Sequence, residues 1–433
     1  MTILFISKNG SSLGLVERVK KEGHNAYLYL LDKDSKKTGD GMVSKPSFDG
    51  QIMKESGYVI ATATDKLLKE TDPDLVVFDM VKMGRVADYI RGRGIAVLGG
   101  CRWADNAELD RGYGYKLMKQ VGITVPSTTE FGPGEYEQAI SFVKKTKKRY
   151  VYKPSGNIDT SHTYVAGGVD DMVGMLKMWR TDSCEFELQE FVEGVEVSCE
   201  LWWNGLSASI QNITFEEKKF MNGDIGPVVG CAGNVVKMIS DKARVVTEGI
   251  GKMERLLKKT NYRGPIDLNS IVTSSKLYGL EFTVRFGYDA LQSLFELYRG
   301  SVTKLLWSIA RGTPMKGDFG ADYSIAVRLS IPPYPNNIPK DMIIKDIPVI
   351  GVRRESEKHI WWGDVYKDGN EYKCAGVAGD LLAATARGRD IVECRKRVYR
   401  TIDNLIVPQK QYRTDIGERV GRDENNIKRW GWF

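Results

Sequence analysis

Gly279-Leu280-Glu281-Phe282-Thr283-Val284-Arg285-Phe286-Gly287 alternates polar and apolar side chains, the period of a β-strand. Glu281, Thr283 and Arg285 then share one face. An acid, a hydroxyl and a guanidinium on a core strand are costly to bury unless they hold something charged. Hard cations with phosphate oxygens suit that set. A solvated outer face of an antiparallel strand is the plainer reading of the same residues.

Three neighbouring segments favour the first reading. Arg263 to Asn269 reads as a strand with Asp267 and Asn269 on one face, and acids facing each other on adjacent strands form an oxygen cage for Mg²⁺ beside nucleotide phosphates. Tyr150-Val151-Tyr152-Lys153-Pro154 is a strand carrying an inward lysine within reach of phosphate oxygens. Taken alone, Lys153 reads as a snorkelling edge residue. Phe186 to Ser198 reads as strand, turn, strand. Backbone groups after Gln189 are available to an adenine edge, and Glu196 is placed to accept from ribose hydroxyls or to stand as an exposed hairpin acid.

The first third of the chain alternates strands (Ile3 to Ser7, Ala26 to Leu31, Asp74 to Asp79, Ile95 to Gly100) with helices (Leu15 to Glu22, Gly84 to Arg93), the signature of an open parallel sheet. The turn Lys8-Asn9-Gly10-Ser11-Ser12-Leu13-Gly14 is either a phosphate cradle or a tight connection, and it lacks GxGxxG spacing. A helix from Tyr113 to Val121 opens the second region. The remainder from about Tyr323 reads as alternating strands with one helix, Asp390 to Leu405. At 433 residues, two or three domains are expected: a Rossmann-like unit over 1–109, a central unit over 110–322 and a small α+β module over 323–433.

Hydrophobic residues at 42% and charged residues at 27% describe a soluble globular chain. No apolar run approaches the roughly 18 residues of a membrane span, and the N-terminus lacks the basic start of a signal peptide. Six cysteines without CxxC spacing and only three histidines argue against zinc or a disulfide framework, so a cytoplasmic location is expected. The net charge of +7 is dispersed, without the basic stripe of a nucleic-acid binder. No membrane or nucleic-acid partner is expected.

The order of these segments resembles the ATP-grasp superfamily, and within it the glycinamide ribonucleotide synthetases (phosphoribosylamine–glycine ligases). The likeness runs over nearly the whole chain. It rests on Gly94 to Gly99 before Leu109-Asp110-Arg111, on Glu190 to Ser198, on Lys218-Lys219, and on Gly223 to Gly233 as a counterpart of the family's DTGPNTGGMG loop. Leu280 to Gly287 matches its IEFNxRFG, and Tyr412-Arg413-Thr414-Asp415-Ile416-Gly417 its terminal YRxDIG. The resemblance implies an ATP-grasp fold with ATP and Mg²⁺ (or Mn²⁺) as cofactors. It implies an ADP-forming ligase that activates a carboxylate as an acyl phosphate for attack by an amine. Carried over, Arg111 and Lys153 would face phosphates, Gln189, Glu190 and the Val192 backbone would hold adenine, and Glu196 the ribose, with Lys218 beside them. Asp267, Asn269, Glu281 and Thr283 would serve the metal, and Arg285, with Lys153, the transferred phosphoryl group.

The departures cluster around the acceptor. The family's metal-binding asparagine is Thr283 here, with Asn269 as a compensating neighbour. The glycine-rich, lysine-bearing phosphate loop reads Gly156-Asn157-Ile158-Asp159-Thr160-Ser161-His162-Thr163. The GPE associated with phosphoribosylamine becomes Phe78-Asp79-Met80-Val81, the GDPE becomes Gly287-Tyr288-Asp289-Ala290, and NGGREH becomes Asn9 to Gly14. A carboxylate–amine ligase with a different acceptor is therefore expected, its carboxylate being glycine, another amino acid or another small acid, in a monomer or homodimer. Two alternatives stand beside it: a divergent phosphoribosylamine–glycine ligase of purine biosynthesis, and a non-catalytic nucleotide-binding protein on the same fold.

Overall fold

The computed structural model describes residues 1–154, 163–180, 184–314, 317–320, 323–336 and 344–433. A four-stranded sheet near the N-terminus runs in the order Asn25–Leu30, Thr2–Ser7, Leu75–Phe78, Ala96–Leu98, and all its pairs are parallel. Leu75, Val76, Val77 and Phe78 are all buried, as expected where helices cover both faces of a parallel sheet.

Two antiparallel sheets bear on the site, and a third, of three strands, pairs Pro348–Val349, Glu371–Cys374 and Val365–Asp368. Of the two at the site, the smaller has the order Thr128–Phe131, Phe186–Glu190, Tyr150–Pro154, Tyr164–Val165. The larger has eight strands: Leu277–Thr283, Gly264–Val272, Val195–Trp203, Ala208–Met221, Ile225–Met238, Tyr323–Ser330, Asp380–Gly388 and Ile360–Trp362. Arg111–Val121 forms a helix whose start is fixed by Asp110, which accepts from the Tyr113 N–H at 2.9 Å. Its stop is Gly122, at φ 78°.

Several expectations need correction. The opening stretch is a strand only over Leu277–Thr283, and it lies at the edge of the large sheet rather than in its centre. Arg285 lies beyond the strand end, where the Val284 N–H leaves the ladder and donates to the Glu108 carboxylate at 2.7 Å. Phe186 to Ser198 is not a hairpin: its first strand belongs to the small sheet and its second to the large one. Gly223 to Gly233 is mostly strand, the returning half of a long ribbon with Ala208–Met221. The strands Tyr323–Ser330, Asp380–Gly388 and Ile360–Trp362 continue the large sheet, since Gly233 to Lys237 pairs with Tyr323 to Val327. A second C-terminal helix, Val420–Arg429, buries only Val420, Asp423, Glu424 and Ile427. The phosphate-loop stretch from Gly156 to His162 lies outside the described residues.

The terminal YRTDIG motif acquires a structural reason. Arg413, 3% exposed, pairs with Asp415 at 2.8 Å and Glu217 at 3.4 Å and donates to the Lys219 carbonyl at 2.9 Å. Asp415 also accepts from the Gly223 N–H at 2.8 Å. The motif pins the ribbon to the body of the protein.

Candidate active site

Directly opposed residues of an antiparallel pair point to the same face. Thr283 lies opposite Asp267 and Glu281 opposite Asn269. On the next strand, Asp267 faces Glu200 and Asn269 faces Ser198. Ser198 and Glu200 in turn face Thr214 and Asn212. Glu196, Glu216 and Lys218 extend the set at period-2 spacing. One face of the large sheet thus carries a polar band across four strands, where an ordinary sheet would bury aliphatic side chains.

This band holds more negative charge than it neutralises. Lys218 Nζ lies 2.7 Å from Glu196 and 3.9 Å from Glu216. Burial works against the Lys218 charge, but Glu196, Glu216 and Glu281 outweigh it and raise its pKa. Lys218 in return holds Glu196 below the usual carboxylate range. The other acids are left short of cations. Burial, reinforced by Glu216 and Glu200, pushes Asp267 well up. Burial also raises Glu216, with Glu196 and Glu281 adding and Lys218 opposing. Glu200 is pushed up to about 7 by burial, despite hydrogen bonds from Asn212 and Trp202, each 2.8 Å.

The small sheet closes over this band. Lys153 is buried at 9% exposure. Burial depresses its pKa; Glu281 and Glu187 oppose the shift, and Arg111 and Lys218 add to it. Those influences come from both sheets: Glu187 lies on the small one, Glu281 and Lys218 on the large one. Arg111 reaches the Pro154 carbonyl and the Glu187 carboxylate, each at 3.2 Å. The Gln189 side chain donates to the Tyr115 hydroxyl at 2.6 Å, and Glu190 pairs with Lys148 at 2.8 Å. Val192 lies on the turn that crosses from one sheet to the other, and its N–H has no hydrogen-bond partner among the described residues.

Arg285 sits at the mouth toward the parallel sheet. Glu108 holds it at 2.8 Å, and its charge outweighs burial to raise the guanidinium pKa, with Tyr288 and Asp79 adding. Asp79 is buried and pushed up by desolvation, against hydroxyl contacts from Ser7, Ser12 and Tyr288. It accepts from the Ser12 N–H at 3.1 Å. A carboxylate therefore occupies the N-terminus of the helix Leu13–Lys21, where the sequence left room for a phosphate cradle.

The metal-site residues fit a hard dication. Asp267, Asn269, Glu281 and Thr283 form a two-by-two array of oxygen donors on facing strands. The Asn269 Oδ1 atom is buried without a hydrogen-bond partner among the described residues, and its amide nitrogen is 3.4 Å from Glu196. Among the described residues no three His, Cys, Asp or Glu side chains converge as a preformed cage. Mg²⁺ commonly binds through one or two carboxylates plus substrate phosphates, so none is required.

Sequence reading missed Glu108, Tyr115, Glu187, Glu200 and Glu216. Glu200 and Glu216 carried a usable signal, since each lies on a strand in phase with Glu196 or Lys218. Glu108 and Tyr115 carried none, because their partners are over 70 residues away in sequence.

No protein-family model matches the chain. The phosphoribosylamine–glycine ligase of Agrobacterium fabrum is 24% identical over 449 residues, covering 98% of this chain and 100% of the relative. Among solved structures, the phosphoribosylamine–glycine ligase of Thermotoga maritima superposes with a TM-score of 0.70 at 20% identity, over 96% of this chain and 100% of that one. Biotin carboxylase of Campylobacter jejuni, solved as a β-γ-ATP complex, gives 0.68 at 11% identity over 99% and 96%. The fold is that of the ATP-grasp enzymes.

Proposed function

We propose that this chain is an ATP-dependent, ADP-forming carboxylate–amine ligase of the phosphoribosylamine–glycine ligase type, acting on a different acceptor. The observation that carries the reading is the buried Lys153 on the small sheet, whose charge is acted on by Glu281 and Lys218 of the polar band on the large one. In this reading Arg111 and Lys153 contact nucleotide phosphates, Glu196 the ribose, and Gln189, Glu190 and the free Val192 N–H the adenine. Asp267, Asn269, Glu281 and Thr283 hold Mg²⁺, which when bound offsets phosphate charge. The division into 1–109, 110–322 and 323–433 then assigns part of the acceptor site, the nucleotide clamp and the closure of the cleft.

The chemistry follows from positioning and charge. A substrate carboxylate oxygen attacks the γ-phosphorus, the bond to the β-phosphate oxygen breaks and ADP leaves. The amine nitrogen attacks the acyl carbon of the resulting acyl phosphate, phosphate departs with the bonding pair, and the nitrogen loses a proton. Arg285, fixed by Glu108, faces the phosphoryl oxygens during both steps. A phosphate-release screen over carboxylates and amines with purified protein and Mg-ATP tests the reading. Pair-dependent release supports it, and none across the panel argues for a non-catalytic binder.

Likeness along nearly the entire length of a phosphoribosylamine–glycine ligase favours a second reading, that reaction itself. Turnover of phosphoribosylamine with glycine at ordinary enzymatic rates would establish it and retire the different acceptor.

A further inference from the structure

Beside the cleft, between the parallel sheet and the far strands of the large sheet, lies a cavity of about 260 Å³. Asp289, Asp364, Asp380, Gln292 and Arg328 line it, with the Asn9 to Ser11 turn at its rim. Arg328 lies on Tyr323–Ser330, two strands along the large sheet from Ala208–Met221, so the cavity adjoins the polar band.

Its carboxylates outnumber its cations, although burial raises the pKa of Asp364 and pushes that of Asp380 up to about 6. Arg328 is its only lining cation among the described residues. That guanidinium is already committed to Asp289 at 3.2 Å, Asp380 at 3.3 Å and the Tyr334 hydroxyl at 2.7 Å. Two carboxylates are therefore left in excess over one cation. Among the described residues two acceptor atoms on the wall lack partners, Asp364 Oδ1 and Gln292 Oε1, on side chains only 6% and 7% exposed. The Trp361 and Trp362 indole N–H groups also lack them, and the Tyr288 hydroxyl has none beyond its contact with Asp79. The other Asp364 oxygen is fully used, accepting from the Val377, Ala378 and Gly379 N–H groups at 2.8, 2.9 and 2.9 Å. Buried acceptors without donors are costly, and a ligand that brings N–H donors and positive charge removes the cost.

A phosphate monoester meets the opposite situation. The indole N–H groups of Trp361 and Trp362 are uncommitted among the described residues, but the ester's negative charge would meet a wall with carboxylates in excess whose one cation is already paired. We propose that this cavity binds the ammonium group of a phosphate-free substrate. The inference rests on the ligase reading for calling the occupant a substrate; its test requires no turnover.

Calorimetry on the full chain without nucleotide would use 1,4-diaminobutane, glycine and ribose 5-phosphate as probes, with MgADP titrated separately. Diaminobutane or glycine is expected to bind, and Asp364→Asn and Gln292→Met to weaken that binding at least about tenfold each. Gln292→Met breaks no side-chain hydrogen bond among the described residues, so it remains informative if Asp364→Asn loosens the 377–379 turn. Binding of diaminobutane alone assigns the site to the amine acceptor, and binding of glycine to the ammonium of the carboxylate partner; both support the proposal. It is overturned if ribose 5-phosphate displaces the cationic probes, if neither cation binds, or if both variants bind like wild type. A chain that takes up diaminobutane but not MgADP would defeat the ligase reading and leave the cavity's preference standing.

Discussion

Lys153 holds an ammonium that its own surroundings disfavour, since burial lowers its pKa and no described residue ion-pairs with it. Such a charge costs stability and is useful only when an anion occupies the cleft. Lys153→Met keeps the stem and removes the charge. It should leave the urea midpoint unchanged or raise stability by about 1 kcal/mol, while ATP turnover falls at least about a hundredfold. Glu281→Gln, at an exposed position, should likewise spare folding and abolish turnover; a shifted melting temperature with intact phosphate release would contradict its role. Glu200 yields a pH prediction. Its folded pKa of about 7 exceeds its ordinary 4.5, so its contribution to stability is fully present below about 4.5 and is lost as pH rises through about 7. Glu200→Gln should remove that dependence, and urea melts at pH 5 and 8 would show whether the wild-type loss between them shrinks in the variant. At this scale the sequence was legible where period 2 fixes which side chains share a face, as with Asp267, Asn269, Glu281 and Thr283. It was silent on Glu108, whose clasp on Arg285 depends on the packing of a distant helix.

Elements were read with unequal success, and the misses have physical causes. The central parallel strands Thr2–Ser7 and Leu75–Phe78 stood out because both their faces are buried over nearly their whole length. Helix Val420–Arg429 was invisible because it packs with polar Asp423 and Glu424 as well as Val420 and Ile427, leaving no apolar stripe. The passage from Glu190 to Val195 looked like a hairpin turn because local sequence does not tell whether two successive strands pair or part into separate sheets. The ribbon of residues 208–238 depends on the Arg413 clamp. Arg413→Ala would deprive Asp415 of its ion-pair partner, while Arg419 still holds Glu217 at 2.8 Å, a loss of about 1–3 kcal/mol. Limited proteolysis should then cut near residues 219–228; an unchanged digestion pattern and denaturation midpoint would show that the clamp is dispensable.

Across the whole molecule, two sheets present opposite resources to one cleft. The small sheet contributes the cation Lys153, with Arg111 from the helix Arg111–Val121 beside it, and the large sheet contributes the carboxylate-rich band with Lys218. The sequence announced this division through the order of its motifs, while the amount of uncompensated negative charge became apparent only once four strands were aligned. A bound dication with polyphosphate reconciles the two surfaces: the metal answers the carboxylates and the phosphates answer the lysines. Mg-nucleotide should therefore raise the melting temperature, and nucleotide without Mg²⁺ should raise it much less. The most direct measurement is a double-mutant cycle on MgADP affinity by titration calorimetry with wild type, Lys153→Met, Glu281→Gln and the double variant. Binding by wild type, weakened at least about tenfold in each single variant and non-additively in the double, is the predicted result. Absence of binding by wild type, or full affinity in both single variants, would contradict a nucleotide held between the sheets.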